Sequence, residues 1–345
     1  MALRLPTIRD VAAQAGVSVG TASKALNNRG RISTETRAAV VRAAEELRFA
    51  PNALIRSLQE GRTGTVGLFT WPVRETALHS VDLALLTGVS HGLAEVQTDM
   101  LLYARCEGRE LATVLLDGRV DGAILVPHEL SLSTLESLAA AGLPTVALYQ
   151  SDIPDPMGSV CVDNQGGVHA ALEHLKARGH RRVAFYAPLT SMDFQERRLA
   201  YEEARHGLGL STDPGLCVIP ETYHSPLEPY WQKLQALTEP PTALLTGNDG
   251  FAIAWLEFLE KQGVQVPQDL SVIGFDDAPV ASRGAGLTTV RQPGLQVGEL
   301  AATFVNRLIQ GAPAAQCRQI LPVELIVRAT TGPVPKGLFV VAHRP

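Results

Sequence analysis

Residues 1–50 contain three runs in which apolar side chains recur at the spacing of an amphipathic helix. The three apolar faces consist of Ile8, Val11, Ala12 and Ala15, of Ala22 and Leu26, and of Val40, Val41, Ala44 and Leu47. Thr7, Ser18 and Ser33 stand where the helices would begin, and a hydroxyl there accepts a hydrogen bond from a free backbone N–H. Gly16 permits the positive φ that ends the first helix, which leaves a turn of about three residues. This pattern predicts a helix-turn-helix unit.

Pro51 ends the third helical run, because the residue before a proline is pushed out of the helical conformation. Residues 52–61 then form one more short helical stretch that has no apolar core of its own. We therefore expect a helix-turn-helix domain over residues 1–50 and a separate short helix over residues 51–62.

From residue 63 onwards, short runs rich in Val, Ile and Leu alternate with longer amphipathic runs. The predicted strands cover residues 65–70, 100–104, 122–126, 144–148, 183–187, 216–219, 243–246 and 270–275. The predicted helices cover residues 78–96, 109–117, 131–141, 166–178, 194–208, 227–238 and 249–262. Strands that alternate with helices favour parallel sheets, and the length suffices for two α/β units with separate cores.

The charge is divided unequally between the two parts of the chain. Residues 1–62 contain ten Lys and Arg against five Asp and Glu, whereas the remaining residues contain 20 against 30. Cations concentrated on a small helical unit favour DNA, because each neutralised phosphate releases counterions. This basic charge disfavours the alternative of a three-helix module for protein contacts. The acidic remainder is not expected to touch DNA.

Four stretches near the start of the chain carry a resemblance to a known family. They read TIRDVAAQAGVS from residue 7, TASKALN from residue 21, ISTETRAAVVRAAEEL from residue 32 and FAPNALIRSLQEGRTGTVGLF from residue 49. On these motifs the chain resembles the lactose/galactose repressor (LacI-type) family of bacterial transcription regulators. The resemblance continues down the chain and covers about residues 7–333.

In this family the second helix lies in the major groove of DNA, and the resemblance assigns base contacts to Val19, Gly20 and Lys24. Val19 offers an apolar contact to a thymine methyl group, and Lys24 offers a donor to guanine. Many relatives carry Arg at the position of Lys24 and a larger residue at that of Gly20, so base readout by this helix is expected to be thin. Phosphate contacts that set the register are expected from Thr7, Ser18, Thr21, Asn27 and Ser33.

The hinge segment of relatives folds on the operator and inserts a leucine into the minor groove. The matching residue is Leu58, and Asn52 in the same segment is expected to contact the same groove. An apolar wedge unstacks a base step and bends the DNA. Without the resemblance, Leu58 would be interpreted as an ordinary packing residue of a linker helix. Ile55 stands where relatives most often have Ala.

For residues 63–333 the resemblance implies a two-lobed α/β effector domain of the periplasmic-binding-protein type, with parallel sheets. The chain is expected to cross between the lobes near residues 162–165, 290–293 and 322–324. The first lobe then holds residues 65–163 and 292–322, the second holds 164–291 and 323–333, and a tail covers 334–345. Parallel sheets bind ligands at the carboxyl ends of their strands, so a small-molecule effector is expected in the cleft between the lobes.

Three polar residues stand at strand ends, where the fold does not require their type, and one of them, Arg197, is expected to open a helix. The arginine that matches Arg197 in the family grips oxygen atoms of the effector, and a cation at a helix start opposes the helix dipole unless it has a partner. Asn248 and Asp276 match positions that hydrogen-bond the effector, and their alternative role is capping. Trp71 and Tyr223 offer aromatic faces, either for stacking on a sugar or base or for plain packing.

Several classes of function lack their sequence signatures. The four cysteines are far apart, so no zinc site, redox centre or cofactor is expected, and their scatter fits a reduced compartment. The chain has no phosphate-binding loop, hydrolase elbow or HExxH pair. Residues 1–15 do not have the pattern of a signal peptide and no apolar run of about 18 residues occurs, so we expect a cytoplasmic protein without a membrane partner.

The sequence is therefore interpreted as a transcription regulator, a homodimeric repressor on double-stranded operator DNA, controlled by a small-molecule effector that resembles a sugar. Residues 334–345 lack leucine heptads, which favours a dimer over a tetramer. Inducer and corepressor modes are both open at this point. Two alternatives also stay open: a solute-binding protein of a transport system, and an enzyme acting on sugars with Asp276 and Asp277 as its acid–base pair.

Overall fold

The computed structural model describes residues 6–28, 30–50, 57, 61–69, 82–103, 111–126, 132–282 and 286–335. The chain divides into two compact units, Met1–Thr63 and Gly64–Pro345. We call the first unit the head and the second unit the body. Each contains its own hydrophobic clusters.

The described residues of the head contain three helices, which are α1 (Ile8–Gln14), α2 (Val19–Leu26) and α3 (Thr34–Glu46). Each begins directly after the predicted cap. Thr7 donates from both its backbone N–H and its hydroxyl to the Asp10 carboxylate, at 2.7 Å in each case. Ser18 and Ser33 each accept a hydrogen bond from the backbone N–H three residues further on. The side-chain caps therefore set the starting points of the helices.

The core of the head is built from small apolar side chains, which are Val11, Ala12, Ala22, Ala25, Val40, Ala43 and Ala44. One predicted core residue is wrong. Val41 is 39% exposed, and Ala43 lies in the core instead. A step of one residue turns a helix by about 100°, so Val41 cannot share the inward face of Val40.

The body contains twelve strands in its described residues, which are β1 (Thr65–Phe69), β2 (Asp99–Tyr103), β3 (Gly122–Leu125), β4 (Thr145–Leu148), β5 (Gly158–Val162), β6 (Val183–Tyr186), β7 (Cys217–Val218), β8 (Ala243–Thr246), β9 (Ser271–Asp276), β10 (Thr288–Arg291), β11 (Arg318–Leu321) and β12 (Glu324–Ile326). Its helices are α4 (Asp82–Glu95), α5 (Leu111–Leu115), α6 (Leu132–Ala140), α7 (Asn164–Ala177), α8 (Met192–Gly207), α9 (Glu228–Gln235), α10 (Asp249–Lys261), α11 (Pro279–Ser282) and α12 (Gly294–Ile309). No helix of the described residues is long and apolar enough to span a bilayer.

The first lobe is a six-stranded sheet in the order β11-β5-β4-β3-β1-β2, and all its neighbouring pairs are parallel. Both faces of the sheet are buried. Val66 and Leu68 of β1 belong to one hydrophobic cluster, whereas Phe69 belongs to a second. This arrangement is expected of a parallel sheet that is covered by helices on both sides.

Helices α4 and α12 pack closely in the first lobe because glycines face each other. A Cβ at Gly88 would overlap the carbonyl oxygen of Leu295, and a Cβ at Gly298 would overlap that of Leu85. Backbone contact of this kind excludes any larger side chain at either position.

The second lobe is a six-stranded sheet in the order β12-β10-β9-β8-β6-β7. Its pairs are parallel except for β12, which runs antiparallel to β10. The core on this sheet is aromatic: the ring of Tyr186 lies edge-on to Trp255 at 5.3 Å and to Phe251 at 5.6 Å. The carboxyl ends of β6, β8 and β9 lie side by side, and these ends form the floor of the candidate site.

The chain passes between the two lobes three times. It leaves β5 of the first sheet and begins α7 at Asn164, and it leaves β10 of the second sheet and begins α12 at Gly294. The third passage joins β11 of the first sheet to β12 of the second. Residues 163, 292–293 and 322–323 are therefore the connecting segments.

Candidate functional site

The outward face of α2 presents the three residues predicted to contact DNA bases. The buried alanines of α2 turn into the core of the head, and Val19, Gly20 and Lys24 are exposed. Val19 is apolar and yet 42% exposed. A Cβ at Gly20 would meet nothing nearer than the Ser18 hydroxyl at 3.8 Å. This face thus offers an apolar group and an ammonium group beside open space.

The five predicted phosphate contacts lie around the ends of the head helices, at Thr7, Ser18, Thr21, Asn27 and Ser33. Three of them are caps, Asn27 follows α2, and the Thr21 hydroxyl lies 2.9 Å from that of Ser18. Helix N-termini attract anions because their first N–H groups are not paired within the helix. The positions suit phosphate contacts, which stay a prediction.

Arg37 is a residue of the head that sequence reasoning missed. Its Nη1 donates to the carbonyl oxygen of Ala25 at 3.3 Å and also contacts the side chain of Asn28. Asn28 has a φ of 57°, in the left-handed region. A guanidinium on the last carbonyls of α2 fixes the helix against α3 and complements its dipole. The sequence contained one signal for this role: Arg37 lies near the start of α3, and no acidic residue lies four residues away from it.

Three predicted residues, Asn52, Leu58 and Trp71, lie outside the described residues. Residues 104–110 and 127–131, which follow β2 and β3, lie outside them too. On the first-lobe side, the described part of the candidate cleft is therefore the segment that follows β4. The predicted contacts of the three residues stay predictions.

In the second lobe, Arg197 lies in the second turn of α8, because this helix begins at Met192. The expectation that Arg197 opens the helix is wrong, and the dipole argument does not apply to it. Its side chain is 1% exposed. Nε donates to Asn164 Oδ1 at 2.8 Å, Nη1 donates to the Gly247 carbonyl at 2.5 Å, and the guanidinium lies 3.7 Å from the centre of the Phe275 ring. The protein thus orients this cation from several sides.

Asp276 ends β9 and lies next to Arg197. Its Oδ1 is 3.9 Å from Nη1 of Arg197 and accepts a hydrogen bond from Gln292 Nε2 at 2.5 Å. Burial raises the pKa of Asp276 well above its usual range, and the charge of Arg197 acts in the opposite direction. Asp276 also has a φ of 130°, in a region that glycine favours. Backbone strain of this kind is concentrated at functional sites.

Asn248 is the N-cap of α10. Its Oδ1 accepts from the Phe251 N–H at 2.9 Å, and its Nδ2 donates to the Tyr223 hydroxyl at 3.1 Å. The neighbouring Asp249 is buried elsewhere and accepts from the Thr289 hydroxyl, and burial raises its pKa to about 6. Asn248 itself is therefore the residue that caps α10, which was the alternative to effector binding for this residue.

Tyr223 lies at the edge of the same region. Its ring is 4.5 Å from that of Phe251, and its side chain is 42% exposed. One ring face therefore packs against the protein while part of the side chain meets solvent. Its hydroxyl contacts Asn248, and Arg197 donates to the carbonyl of Gly247. Four of the five predicted effector residues therefore lie around the ends of β8 and β9: Arg197, Tyr223, Asn248 and Asp276.

Four further polar residues surround this group and were missed from the sequence: Asn164, Asp193, Glu196 and Gln292. Asp193 Oδ2 lies 3.4 Å from Nη2 of Arg197. Among the described residues, the buried Oε1 of Gln292 has no hydrogen-bond partner. Gln292 follows β10 directly, as Asp276 ends β9, so its position after a strand was a signal that we did not use.

Asp277 does not form an acid–base pair with Asp276. It accepts hydrogen bonds from Arg291 at 2.7 Å and from Arg328 at 2.6 Å. These two charge-assisted hydrogen bonds fasten β10 to the segment after β12. This geometry removes the feature on which the enzyme alternative rested.

Comparison with known proteins identifies both parts of the chain. Residues 7–52 match the family described as "Bacterial regulatory proteins, lacI family", and residues 172–331 match a "Periplasmic binding protein-like domain". The HTH-type transcriptional regulator DegA of Bacillus subtilis is 31% identical over 340 residues, which cover 95% of this chain and 98% of DegA. The chain belongs to the lacI family of bacterial regulatory proteins.

Solved structures agree with this assignment. A CelR–cellobiose complex is 30% identical with a TM-score of 0.70, and the match covers 94% of this chain and 99% of that one. The lac repressor dimer bound to operator and the anti-inducer ONPF is 27% identical with a TM-score of 0.80, over 95% and 100%. The predicted fold class, a helix-turn-helix head on a periplasmic-binding-protein-like α/β domain, is confirmed.

As a lacI-family protein, this chain is a DNA-binding transcription regulator. Its relatives are regulators and not enzymes. The alternative of a transport protein without a DNA role is wrong, because the head matches the family's regulatory domain. Within the described residues, no group of His, Cys, Asp or Glu side chains is arranged to hold a metal ion.

Proposed function

We propose that this regulator is a homodimeric repressor whose affinity for operator DNA is controlled by a small effector bound between the lobes of the body. The proposed domains are a helix-turn-helix head over 1–50, a hinge helix over 51–62, an effector domain over 63–333 and a tail over 334–345. A protein that binds operators works in the cytoplasm, where the bacterial chromosome lies. No catalytic step is proposed, since Asp276 and Asp277 face different partners.

In the head, Val19 and Lys24 are proposed to read base edges in the major groove, and Gly20 to let the backbone approach them. Their common exposure on one face of α2 supports this role. Lys24 donates as a point charge and lacks the planar fork with which Arg grips guanine. We also propose that Leu58 and Asn52 contact the minor groove, which would account for much of the affinity through DNA bending.

The proposed effector site rests on the pairing of Arg197 on α8 with Asp276 at the end of β9. Together they present guanidinium donors and a carboxylate acceptor within one small buried region. Gln292 Oε1, which has no hydrogen-bond partner in the described part of the chain, adds an acceptor. Ligands with neighbouring hydroxyl groups match such an arrangement, so we propose a sugar or sugar derivative. The cellobiose bound to CelR supports this class.

Regulation follows from differential affinity. An effector that binds one arrangement of the lobes more tightly than the other shifts the population towards it, and operator affinity changes in proportion. A coupling of about 1–3 kcal/mol corresponds to a 5- to 150-fold change in operator affinity. A dimer has two heads and two hinges, one of each for every operator half-site. Small changes in the body therefore suffice to disturb the binding of both half-sites.

The proposal is tested by a thermal-shift screen against sugars including cellobiose, sugar phosphates, nucleosides and purines. A ligand at about 100 times its Kd stabilises the native state by about 2.7 kcal/mol and raises Tm with dose. Arg197→Lys and Asp276→Asn should abolish the shift. Arg198→Lys is the matched control, since Arg198 is adjacent on α8 but pairs with Glu202 at 2.8 Å.

A compound that stabilises the parent and Arg198→Lys, but neither site variant, supports the site and names the effector class. A compound that stabilises all four proteins equally binds elsewhere and overturns the site. Circular dichroism of each variant establishes that it is folded before the comparison is made.

A further inference from the structure

A chain of hydrogen bonds connects the first lobe to the arginine of the candidate site. The Ser151 hydroxyl donates to Glu196 Oε1 at 2.5 Å, and Asn164 Nδ2 donates to Glu196 Oε2 at 2.7 Å. Asn164 Oδ1 in turn accepts from Arg197 Nε at 2.8 Å. We call the Ser151–Glu196–Asn164 contacts the interlobe bridge.

The three residues come from three separate parts of the body. Ser151 follows β4 of the first sheet, and Glu196 lies on α8 of the second lobe. Asn164 begins α7, directly after the chain has left β5 and crossed between the lobes. The carboxylate of Glu196 therefore spans from the second lobe to a loop of the first, next to one of the connecting segments.

A second observation places Glu196 against the first lobe. Cys161 lies on β5 of the first sheet, and burial together with the nearby charge of Glu196 raises the pKa of its thiol to about 12. The carboxylate thus lies close enough to this strand to affect a buried group on it.

The chemistry of the bridge makes it both strong and directional. Each Glu196 oxygen accepts one hydrogen bond, and a charged acceptor strengthens both. Asn164 uses its amide nitrogen towards Glu196 and its amide oxygen towards Arg197, so it cannot rotate without losing one of them. Movement of Arg197 is therefore transmitted through Asn164 to the bond that holds the first lobe.

We infer that Glu196 is a positioning residue that fastens the two lobes in one arrangement and couples that arrangement to Arg197. The bridge then supplies the differential contact that a population shift requires, because it forms in one arrangement of the lobes and breaks in the other. The regulatory part of this inference rests on the proposed function, in which Arg197 contacts the effector. The mechanical part does not, since it concerns the lobes alone.

The chain offers a matched control two helical turns away. Glu203 also lies on α8 and accepts a hydrogen bond from Gln165 of α7 at 3.1 Å. This contact joins the same two helices as the Asn164–Glu196 contact, but it stays within the second lobe and is exposed. Glu203→Gln should therefore leave the arrangement of the lobes unchanged.

The test measures the distance between the lobes by double electron–electron resonance on the full chain. Spin labels are carried by a keto amino acid in place of Glu136 on α6 and Glu257 on α10, both of which are exposed. The labelled chain is diluted with unlabelled chain, so that distances within one chain dominate. The native cysteines are left in place.

The arrangement of the lobes in which the interlobe bridge is broken should be the minor one in the parent. In Ser151→Ala and Glu196→Gln its population should rise on the order of tenfold, which is the factor expected for the loss of one charge-assisted hydrogen bond. The double variant should match Glu196→Gln alone, because both changes remove the same contact. Ser151→Thr keeps a hydroxyl and should restore the parent distribution.

Distance distributions of Ser151→Ala and Glu196→Gln that equal the parent's would overturn the inference, as would an equal change in Glu203→Gln. The measurement needs neither effector nor operator, so its failure is distinguishable from failure of the proposed function. Conversely, an intact bridge combined with a negative ligand screen would leave the mechanical role standing and reject the effector site.

Discussion

Nη1 of Arg197 lies 3.9 Å from Oδ1 of Asp276, and both side chains are almost completely buried. The two residues are far apart in the sequence, and the sheet order β9-β8-β6 brings them together, since α8 follows β6 and Asp276 ends β9. Each charge reduces the free-energy cost of burying the other. The pair therefore contributes to the stability of the second lobe, besides its proposed role in ligand binding.

Loss of Arg197 and loss of Asp276 should lower the free energy of unfolding by different amounts. Arg197→Ala removes the cation and leaves Asp193 and Asp276 without it, so we expect it to lower the free energy of unfolding by about 3–5 kcal/mol. Asp276→Asn removes a charge whose burial is unfavourable and keeps an oxygen for Gln292, so its cost should be much smaller. Urea denaturation of both variants checks this order, and equal costs would contradict it.

The sequence predicted the head closely because its signals are local. Caps at Ser18 and Ser33 and the glycine turn fix where each helix begins, and the structure has them there. The one wrong core residue, Val41, came from counting apolar residues without their exact angle on the helix. The eight predicted strands agree with observed strands to within a residue or two, because buried parallel strands are short and mostly apolar, but β5, β10, β11 and β12 were not predicted.

The polar network of the candidate site was predicted only in part. Arg197, Asn248 and Asp276 stand in motifs of the family, but Glu196 and Asn164 gain their meaning from contacts between segments that are distant in the chain. The hydrophobic periodicity of a sequence contains no signal for such contacts. The same reason explains why Arg37 was missed, since the carbonyl it binds belongs to another helix.

Close packing of α4 on α12 predicts a steric effect at Gly88. A methyl group there would overlap the backbone of Leu295, so Gly88→Ala should lower the free energy of unfolding by about 1–3 kcal/mol. Gly207→Ala is the control: it lies at the end of α8 with nothing near its Cβ, and alanine is the better helix former. Thermal unfolding of both variants is the measurement, and a Gly88→Ala protein as stable as the parent would refute the packing.

The half-buried His174 predicts a pH dependence of stability. Burial, with Arg178 and His180 adding to it, lowers the pKa of His174 from 6.5 to about 4. Its Nδ1 lies 3.1 Å from Arg178 Nη1, so a protonated ring would lose an acceptor and face a like charge. The unfolded chain binds this proton more tightly, so the free energy of unfolding falls as the pH drops from 6.5 to about 4.

His174→Gln isolates this effect. The raised pKa of Asp249 acts in the opposite sense, because it stabilises the fold as the pH falls, but it is present in both proteins and cancels in the difference. The stability of the parent relative to His174→Gln should therefore decrease between pH 6.5 and 4. Urea midpoints at several pH values check this, and a constant difference would show that His174 does not titrate in that window.

Base reading by Lys24 predicts a loss of specificity that is confined to one position. An operator is first obtained by selection from random duplexes with the full chain. Lys24→Gln should then reduce discrimination at one base pair in each half-site by about 1–3 kcal/mol. Lys261→Gln changes the net charge by the same amount but lies in the body, so it should leave this discrimination unchanged. Fluorescence anisotropy with single-base operator variants is the measurement, and uniform weakening across all variants would assign Lys24 to phosphate instead.

Control of DNA binding by a ligand held by Arg197 and Asp276 is the core of the proposed function. It is tested most directly by titrating the selected operator at fixed salt, with and without the ligand from the thermal-shift screen, for the parent, Asp276→Asn and Arg198→Lys. We expect the ligand to change the operator Kd of the parent and of Arg198→Lys by about 5- to 150-fold, and Asp276→Asn to bind operator without responding to the ligand. An operator Kd that the bound ligand leaves unchanged in the parent would contradict it.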